Sequence, residues 1–192
     1  MADNKELIRT FIAIEIPDGI KDGMKEVQET LRKSRADVGW VRPEGVHLTL
    51  KFLGDFEAGR VGGLGDAIES AVKGIRPFQL EVKGIGVFPT PKAPRVVWLG
   101  LGGEMDSLSA VYEKVEAACE GLGFKREPRP FKPHLTLGRV KSPGGRESLM
   151  RSVAEHERAD LGAFTAGAVS VMKSELMPSG AVYTEMRRII LG

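Results

Sequence analysis

At 192 residues, 42% hydrophobic and 28% charged, the chain has the make-up of a globular protein with one sizeable core, and a single bilobal domain over residues 1–192 is expected. Its 28 basic against 26 acidic residues leave a formal charge of +2, too balanced for a protein that coats long nucleic acid but compatible with a short polyanion as partner. No run of about 18 apolar residues is present to span a bilayer, and Met1-Ala-Asp-Asn-Lys5 has no basic segment leading into an apolar stretch, so a cytoplasmic protein without membrane contact is expected.

Phe11-Ile-Ala-Ile-Glu-Ile16 reads as a buried strand stopped by Pro17-Asp18-Gly19, and residues 20–32 then show helical spacing with mixed charges. Val38-Gly-Trp-Val41 and His47-Leu-Thr-Leu-Lys-Phe-Leu53 are short strands around a turn at Pro43-Glu44-Gly45, the second ended by Gly54-Asp55. A helix is predicted over 60–72. Strand patterns return at 78–82 and 95–99, and the segment between them, Phe88-Pro-Thr-Pro-Lys-Ala-Pro94, is too rich in proline for a sheet interior and is expected as an exposed loop. Residues 104–121 give the clearest amphipathic helix, with Leu108, Val111, Val115 and Ala118 on one face and Gly121 as the stop. The only cysteine, Cys119, falls on that helix, where it cannot form an internal disulfide and is expected to pack as a small apolar group. A second His-Leu-Thr-Leu follows at 134–137, then a helix over 146–158 and two final strands, 168–172 and 181–186, joined across Pro178-Ser-Gly180. The class is α+β with mostly antiparallel sheets.

The tetrapeptide His-Leu-Thr-Leu occurs once in each half of the chain, at His47 and at His134. In a strand, residues two apart share a face, so His47 and Thr49 point one way while Leu48 and Leu50 point into a core, and His134 and Thr136 repeat the arrangement. Each strand offers an imidazole beside a hydroxyl, and two such walls make a cleft. An unperturbed imidazole titrates near pH 6.5, so at neutral pH one of a pair can accept a proton while the other donates one. Displacement at phosphorus needs both jobs on opposite sides, with hydroxyls donating to the non-bridging oxygens. Packing alone requires only alternating apolar residues, and an identical tetrapeptide recurring twice is more than packing asks.

These motifs carry a family resemblance. Phe11-Ile-Ala-Ile14, Val46-His-Leu-Thr-Leu-Lys-Phe-Leu-Gly54, Arg95-Val-Val-Trp-Leu-Gly100, Pro133-His-Leu-Thr-Leu-Gly-Arg139 and Ser174-Glu-Leu-Met-Pro-Ser-Gly-Ala-Val-Tyr183 together resemble the RNA 2′,3′-cyclic phosphodiesterases, or 2′-5′ RNA ligases, of the two-histidine phosphoesterase superfamily. The resemblance implies a bilobal α+β fold in which two mostly antiparallel sheets face each other across a central cleft with helices outside. It implies metal-independent hydrolysis of an RNA 2′,3′-cyclic phosphate end to a 2′-phosphate, with reversible 2′-5′ ligation as a companion reaction. By motif position it makes His47 and His134 catalytic, has Thr49 and Thr136 hold the phosphate with Arg139 in support, and requires no cofactor or metal. It further implies His47 as the acid and His134 as the base, although the motifs themselves do not distinguish the two. The partners implied are RNA 3′ ends or small nucleotides carrying a cyclic phosphate; a monomer is expected.

Strict alternation sets Arg139, five residues after His134, on the wrong face, unless a bulge or strand end at Gly138 turns it back. Lys51 has the parity of the His47 face, where it either serves the site or reaches past it to water. The basic stretch Lys125-Arg126, Arg129 and Lys132 either steers a phosphate chain or is a solvated loop. Phe11, Trp98, Phe131 and Tyr183 are core aromatics or stacking platforms for a base. Gly59-Arg-Val-Gly-Gly-Leu-Gly65 lacks the Lys-Ser/Thr end of a phosphate loop, His156 belongs to a charged surface stretch, and no ligand cluster accompanies either motif to make a zinc site. Two competing readings remain: a phosphodiesterase for small cyclic nucleotides or 2′-5′ oligonucleotides, and a module that binds nucleotides without turning them over.

Overall fold

The computed structural model describes residues 6–178 and 180–192, which leaves Met1–Lys5 and Ser179, the middle of the expected turn at 178–180, outside the described residues. The chain runs β1 (Leu7–Glu15), α1 (Asp18–Arg32), β2 (Val38–Trp40), β3 (His47–Glu57), α2 (Val61–Val72), β4 (Phe78–Thr90), β5 (Ala93–Gly103), α3 (Met105–Gly121), β6 (His134–Val140), α4 (Arg146–Glu155), β7 (Asp160–Ala166), β8 (Ala168–Met177) and β9 (Gly180–Ile190). One sheet has the order β3-β1-β8-β9 and the other β2-β6-β5-β4-β7. Every pairing among them is antiparallel, as the α+β reading expects.

The apolar run that opens the chain is explained by its central place. Ile8, Ile12 and Ile14 of β1 join the main core, while Phe11 and Ala13, on the other face, form a second buried cluster with Met172 and Tyr183 against it. A strand buried on both faces has no polar side to show. The main core takes side chains from both sheets and all four helices, among them Met24 and Leu31 of α1, Leu64 and Ile68 of α2, Leu108 and Val111 of α3, and Leu149 of α4. Cys119 lies in it fully buried, and burial pushes its thiol up to about 11, so it is an inert apolar filler.

Several boundaries differ from expectation. The segment 88–94 is paired sheet almost to its tip: Phe88↔Val96, Pro89↔Pro94 and Thr90↔Ala93 close the β4-β5 hairpin, and residues 89–93 are exposed as expected, though only Pro91 and Lys92 form the turn and the rest belong to the strands. Proline is tolerated there because the hairpin end leaves N–H groups outside the ladder. Strand β3 continues through Gly54-Asp55 to Glu57, the glycine taking φ +74 at a register shift instead of ending the strand. Helix α3 runs through Gly121, and the left-handed residue after it is Gly123. Helix α4 stops at Glu155, and residues 160–166, which lack clean alternation, form the edge strand β7. His156 is half-buried just past the end of α4, its Nδ1 bonded to the Ser152 carbonyl at 2.8 Å.

Candidate active site

The two His-Leu-Thr-Leu segments fall in different sheets, β3 in one and β6 in the other, and both line one cleft of about 1340 Å³. His47, Thr49, His134, Thr136 and Arg139 all face it. The leucines between them, Leu48, Leu50, Leu135 and Leu137, are buried in the main core, so each wall is anchored from behind by the residues that alternate with its polar ones.

Both strands break alternation at the same place. In β3, Ala13 of β1 pairs with Thr49 and Ile12 with Lys51, which leaves Leu50 as an extra residue. In β6, Trp98 of β5 pairs with Thr136 and Val97 with Gly138, which leaves Leu137 extra. Each is a bulge, and a bulge resets the parity of the residues beyond it. Leu50 and Lys51 are both buried, and Phe52 emerges on the cleft side; Leu137 and Gly138 are both buried, and Arg139 emerges. The difficulty with Arg139 is thereby resolved, with the extra residue at Leu137 and not at Gly138. The β6 bulge is tied down by Gln28 of α1, whose buried amide donates to the Leu137 carbonyl at 2.8 Å, and by Val41, whose N–H donates to the same oxygen at 3.1 Å. Gly138 is required beside it, because a Cβ there would lie 2.6 Å from Val38 and 3.0 Å from Trp40.

The same geometry corrects the expectation for Lys51. The bulge takes its side chain off the His47 side of the strand into a buried ion pair with Glu116 at 2.7 Å, at the border of the cleft, with a further bond from its Nζ to the Lys125 carbonyl at 2.9 Å. Glu116 also accepts from the Glu127 N–H at 3.1 Å. The pair therefore fastens β3 and α3 to the segment that leads into β6.

The two imidazoles sit in different surroundings. His47 stacks on Phe11 at 4.5 Å and 25°, with the edge of Tyr183 at 4.7 Å and 83°. Burial in this aromatic box lowers its pKa to about 4, against the opposing effect of a hydrogen bond to the Gly45 backbone, with the Lys21 charge lowering it further. His134 meets the edge of Phe88 at 5.1 Å and 87°, and its Nδ1 lies 2.7 Å from the Lys132 carbonyl. A carbonyl only accepts, so Nδ1 carries the proton and Nε2 is left for the cleft. Behind Phe88 lies Trp98, whose indole covers Gly86 so closely that a Cβ on that glycine would lie 2.3 Å from the ring.

Of the four aromatics singled out from sequence, Phe11 and Trp98 do not line the cleft, Phe11 stacking on His47 and Trp98 backing Phe88, whereas Tyr183, edge-on to His47, and Phe131, stacked on Tyr112 at 4.0 Å and 6°, are half-buried and line it. The exposed aromatic of the cleft is Phe52, 67% accessible, which sequence reading passed over. It occupies in the first motif the place that Arg139 has in the second, and counting five residues from each histidine would have found it. Phe88 was likewise missed, hidden by its proline neighbours.

Known proteins resemble this chain in sequence and in fold. A family model described as LigT like Phosphoesterase matches residues 14–98 and 101–183, and each stretch carries one His-x-Thr strand. A protein of Methanothermobacter thermautotrophicus named RNA 2′,3′-cyclic phosphodiesterase is 36% identical over 179 residues, 93% of this chain and 96% of the relative. One of the same name from Thermotoga maritima is 37% identical over 70% of this chain and 71% of its own length. Among solved structures, TT0787 of Thermus thermophilus superposes with a TM-score of 0.79 at 28% identity, covering 96% of this chain and 98% of the neighbour. E. coli LigT complexed with 3′-AMP shares the fold with a TM-score of 0.76 at 23% identity, over 97% and 99% of the two chains. The doubled His-x-Thr walls, the two antiparallel sheets and the relatives that match nearly end to end place this chain in the LigT-like phosphoesterase family.

Proposed function

We propose that the protein hydrolyses the 2′,3′-cyclic phosphate at an RNA end to a 2′-phosphate, with His47 and His134 as its acid–base pair. The observation that carries the reading is that two His-x-Thr strands from separate sheets line one cleft, each with its hydroxyl two residues from its imidazole. One imidazole takes a proton from water as its oxygen bonds to phosphorus, and the other gives a proton to the ribose 3′ oxygen as that P–O bond breaks. Thr49, Thr136 and the bulge-directed Arg139 hold the non-bridging oxygens, where charge concentrates during displacement. A 5′ hydroxyl in place of water would run the joining reaction.

Both histidines come from one chain, so a monomer suffices, and one apolar core shared by the two sheets supports reading the chain as a single bilobal domain. The relatives named RNA 2′,3′-cyclic phosphodiesterase support RNA as the substrate. No helix among the described residues is long and apolar enough to cross a membrane, which fits an RNA-processing enzyme of the cytoplasm. As to roles, the resemblance makes His47 the acid, while the aromatic box disfavours its charged form until a phosphate anion arrives to raise it. The test is incubation with RNA ending in a 2′,3′-cyclic phosphate, in EDTA, with the products separated by chromatography. A single 2′-phosphate product formed in the presence of chelator is expected. Mainly 3′-phosphate, loss of activity in EDTA, or no turnover would overturn the reading.

A further inference from the structure

The cleft is larger than the cyclic phosphate and its ribose require: at about 1340 Å³ it exceeds the ~300–1,000 Å³ usual for a small-molecule site. Its second wall is extended by residues 122–133, the connection between α3 and β6, which has no helix or strand of its own. That segment is nevertheless fixed. Lys51 holds the Lys125 carbonyl, Glu116 holds the Glu127 N–H, Phe131 is stacked on Tyr112, and Pro128, Pro130 and Pro133 restrict the backbone between.

Charge along the segment is divided. Arg126 is spent on Glu113 and Glu120 of α3, and Arg129 on Glu127. Lys125 and Lys132 are exposed, line the cleft, and have no carboxylate within ion-pair distance among the described residues. Lys132 stands two residues before His134, so its ammonium rides on the segment that delivers the imidazole.

We propose that residues 122–133 form a rail for the phosphodiester backbone of RNA on the 5′ side of the terminal nucleotide, with Lys125 and Lys132 as its phosphate contacts. The proposal rests on the cyclic-phosphate reading above and decides between its two substrate classes: an oligonucleotide uses the rail, and a cyclic mononucleotide has no phosphate to lay on it. A rail pinned at Lys125, Glu127 and Phe131 loses little freedom on binding, so its ammonium groups meet the backbone already ordered.

The experiment compares kcat/KM for 2′,3′-cyclic AMP and for a short RNA with a 2′,3′-cyclic phosphate end, across salt concentrations, in the wild type and in a Lys125→Ala/Lys132→Ala variant. The variant is expected to lose roughly tenfold on the RNA and to change less than about twofold on the mononucleotide, which has no second phosphate to lay on the rail. For the RNA, the slope of log kcat/KM against log salt should become shallower by ~1.4, the share of two single-strand phosphates. Equal losses on both substrates, an unchanged RNA rate, or a wild type that turns over the mononucleotide alone would each overturn the rail while leaving the cyclic-phosphate chemistry standing. A wild type inactive on both would overturn that chemistry, and the rail with it.

Discussion

The walls built by β3 and β6 begin from the same four residues, bulge at the same fourth position, and end with different equipment. After the bulge, the first wall buries a lysine and shows a phenylalanine, whereas the second buries a glycine and shows an arginine. The first imidazole is boxed by Phe11 and Tyr183 and kept in its neutral form; the second hangs from the Lys132 carbonyl at the end of the 122–133 segment. Local sequence thus sets which side chains follow each bulge, and the neighbours from distant strands set where they point and how each group behaves. An apolar ring on one wall and a guanidinium on the other give the cleft a direction, which an asymmetric substrate needs and two bare copies of a motif would not supply.

The strongest test of the comparison removes the shared element. His47→Ala and His134→Ala should each lower turnover by ~10²–10⁴-fold, the range for losing a general acid or base, with folding checked by circular dichroism. A folded variant of either kind with near-normal rates would refute the paired mechanism. The next tests address what differs. Lys51→Met should cost about 3–5 kcal/mol, because it strands Glu116 in the core, whereas Lys51→Met/Glu116→Leu should regain most of that loss. Urea unfolding of the single and double variants measures both, and equal losses would show that the pair's charges do not depend on each other.

Thr49→Val and Thr136→Val should reduce kcat by about 10–100-fold, less than the histidine changes, since each removes one hydroxyl donor and spares proton transfer. A loss exceeding that of the histidines would point instead to a threonine nucleophile. The smallest effect concerns the aromatic box. Because the folded His47 pKa, about 4, lies below the unfolded value, the unfolded chain binds the extra proton first as pH falls from about 6.5. The stability from burying neutral His47 is therefore whole above about pH 6.5 and declines as pH falls toward 4, by at most about 3 kcal/mol. A His47→Phe variant should lack that share of the decline. Unfolding curves of the two proteins at several pH values read the difference directly, and parallel pH dependences would deny the box its effect.

The sequence alone determined the strands that carry the chemistry, because alternation with core leucines is a local rule and a repeated His-Leu-Thr-Leu states it twice. It also determined the α3 helix, the antiparallel class and the buried state of Cys119, each following from patterns within one element. It did not reveal that Lys51 turns inward, that Arg139 turns outward, or that Gln28 holds the β6 bulge. Parity after a bulge depends on which residue the neighbouring strand leaves unpaired, and that choice belongs to β1 and β5, not to the motif strands. The pKa of His47 and the fixing of residues 122–133 were beyond sequence for the same reason. Desolvation by Phe11 and Tyr183, and a buried charge pair reaching from Lys51 to Glu116, exist only once residues far apart in the chain are brought within contact distance.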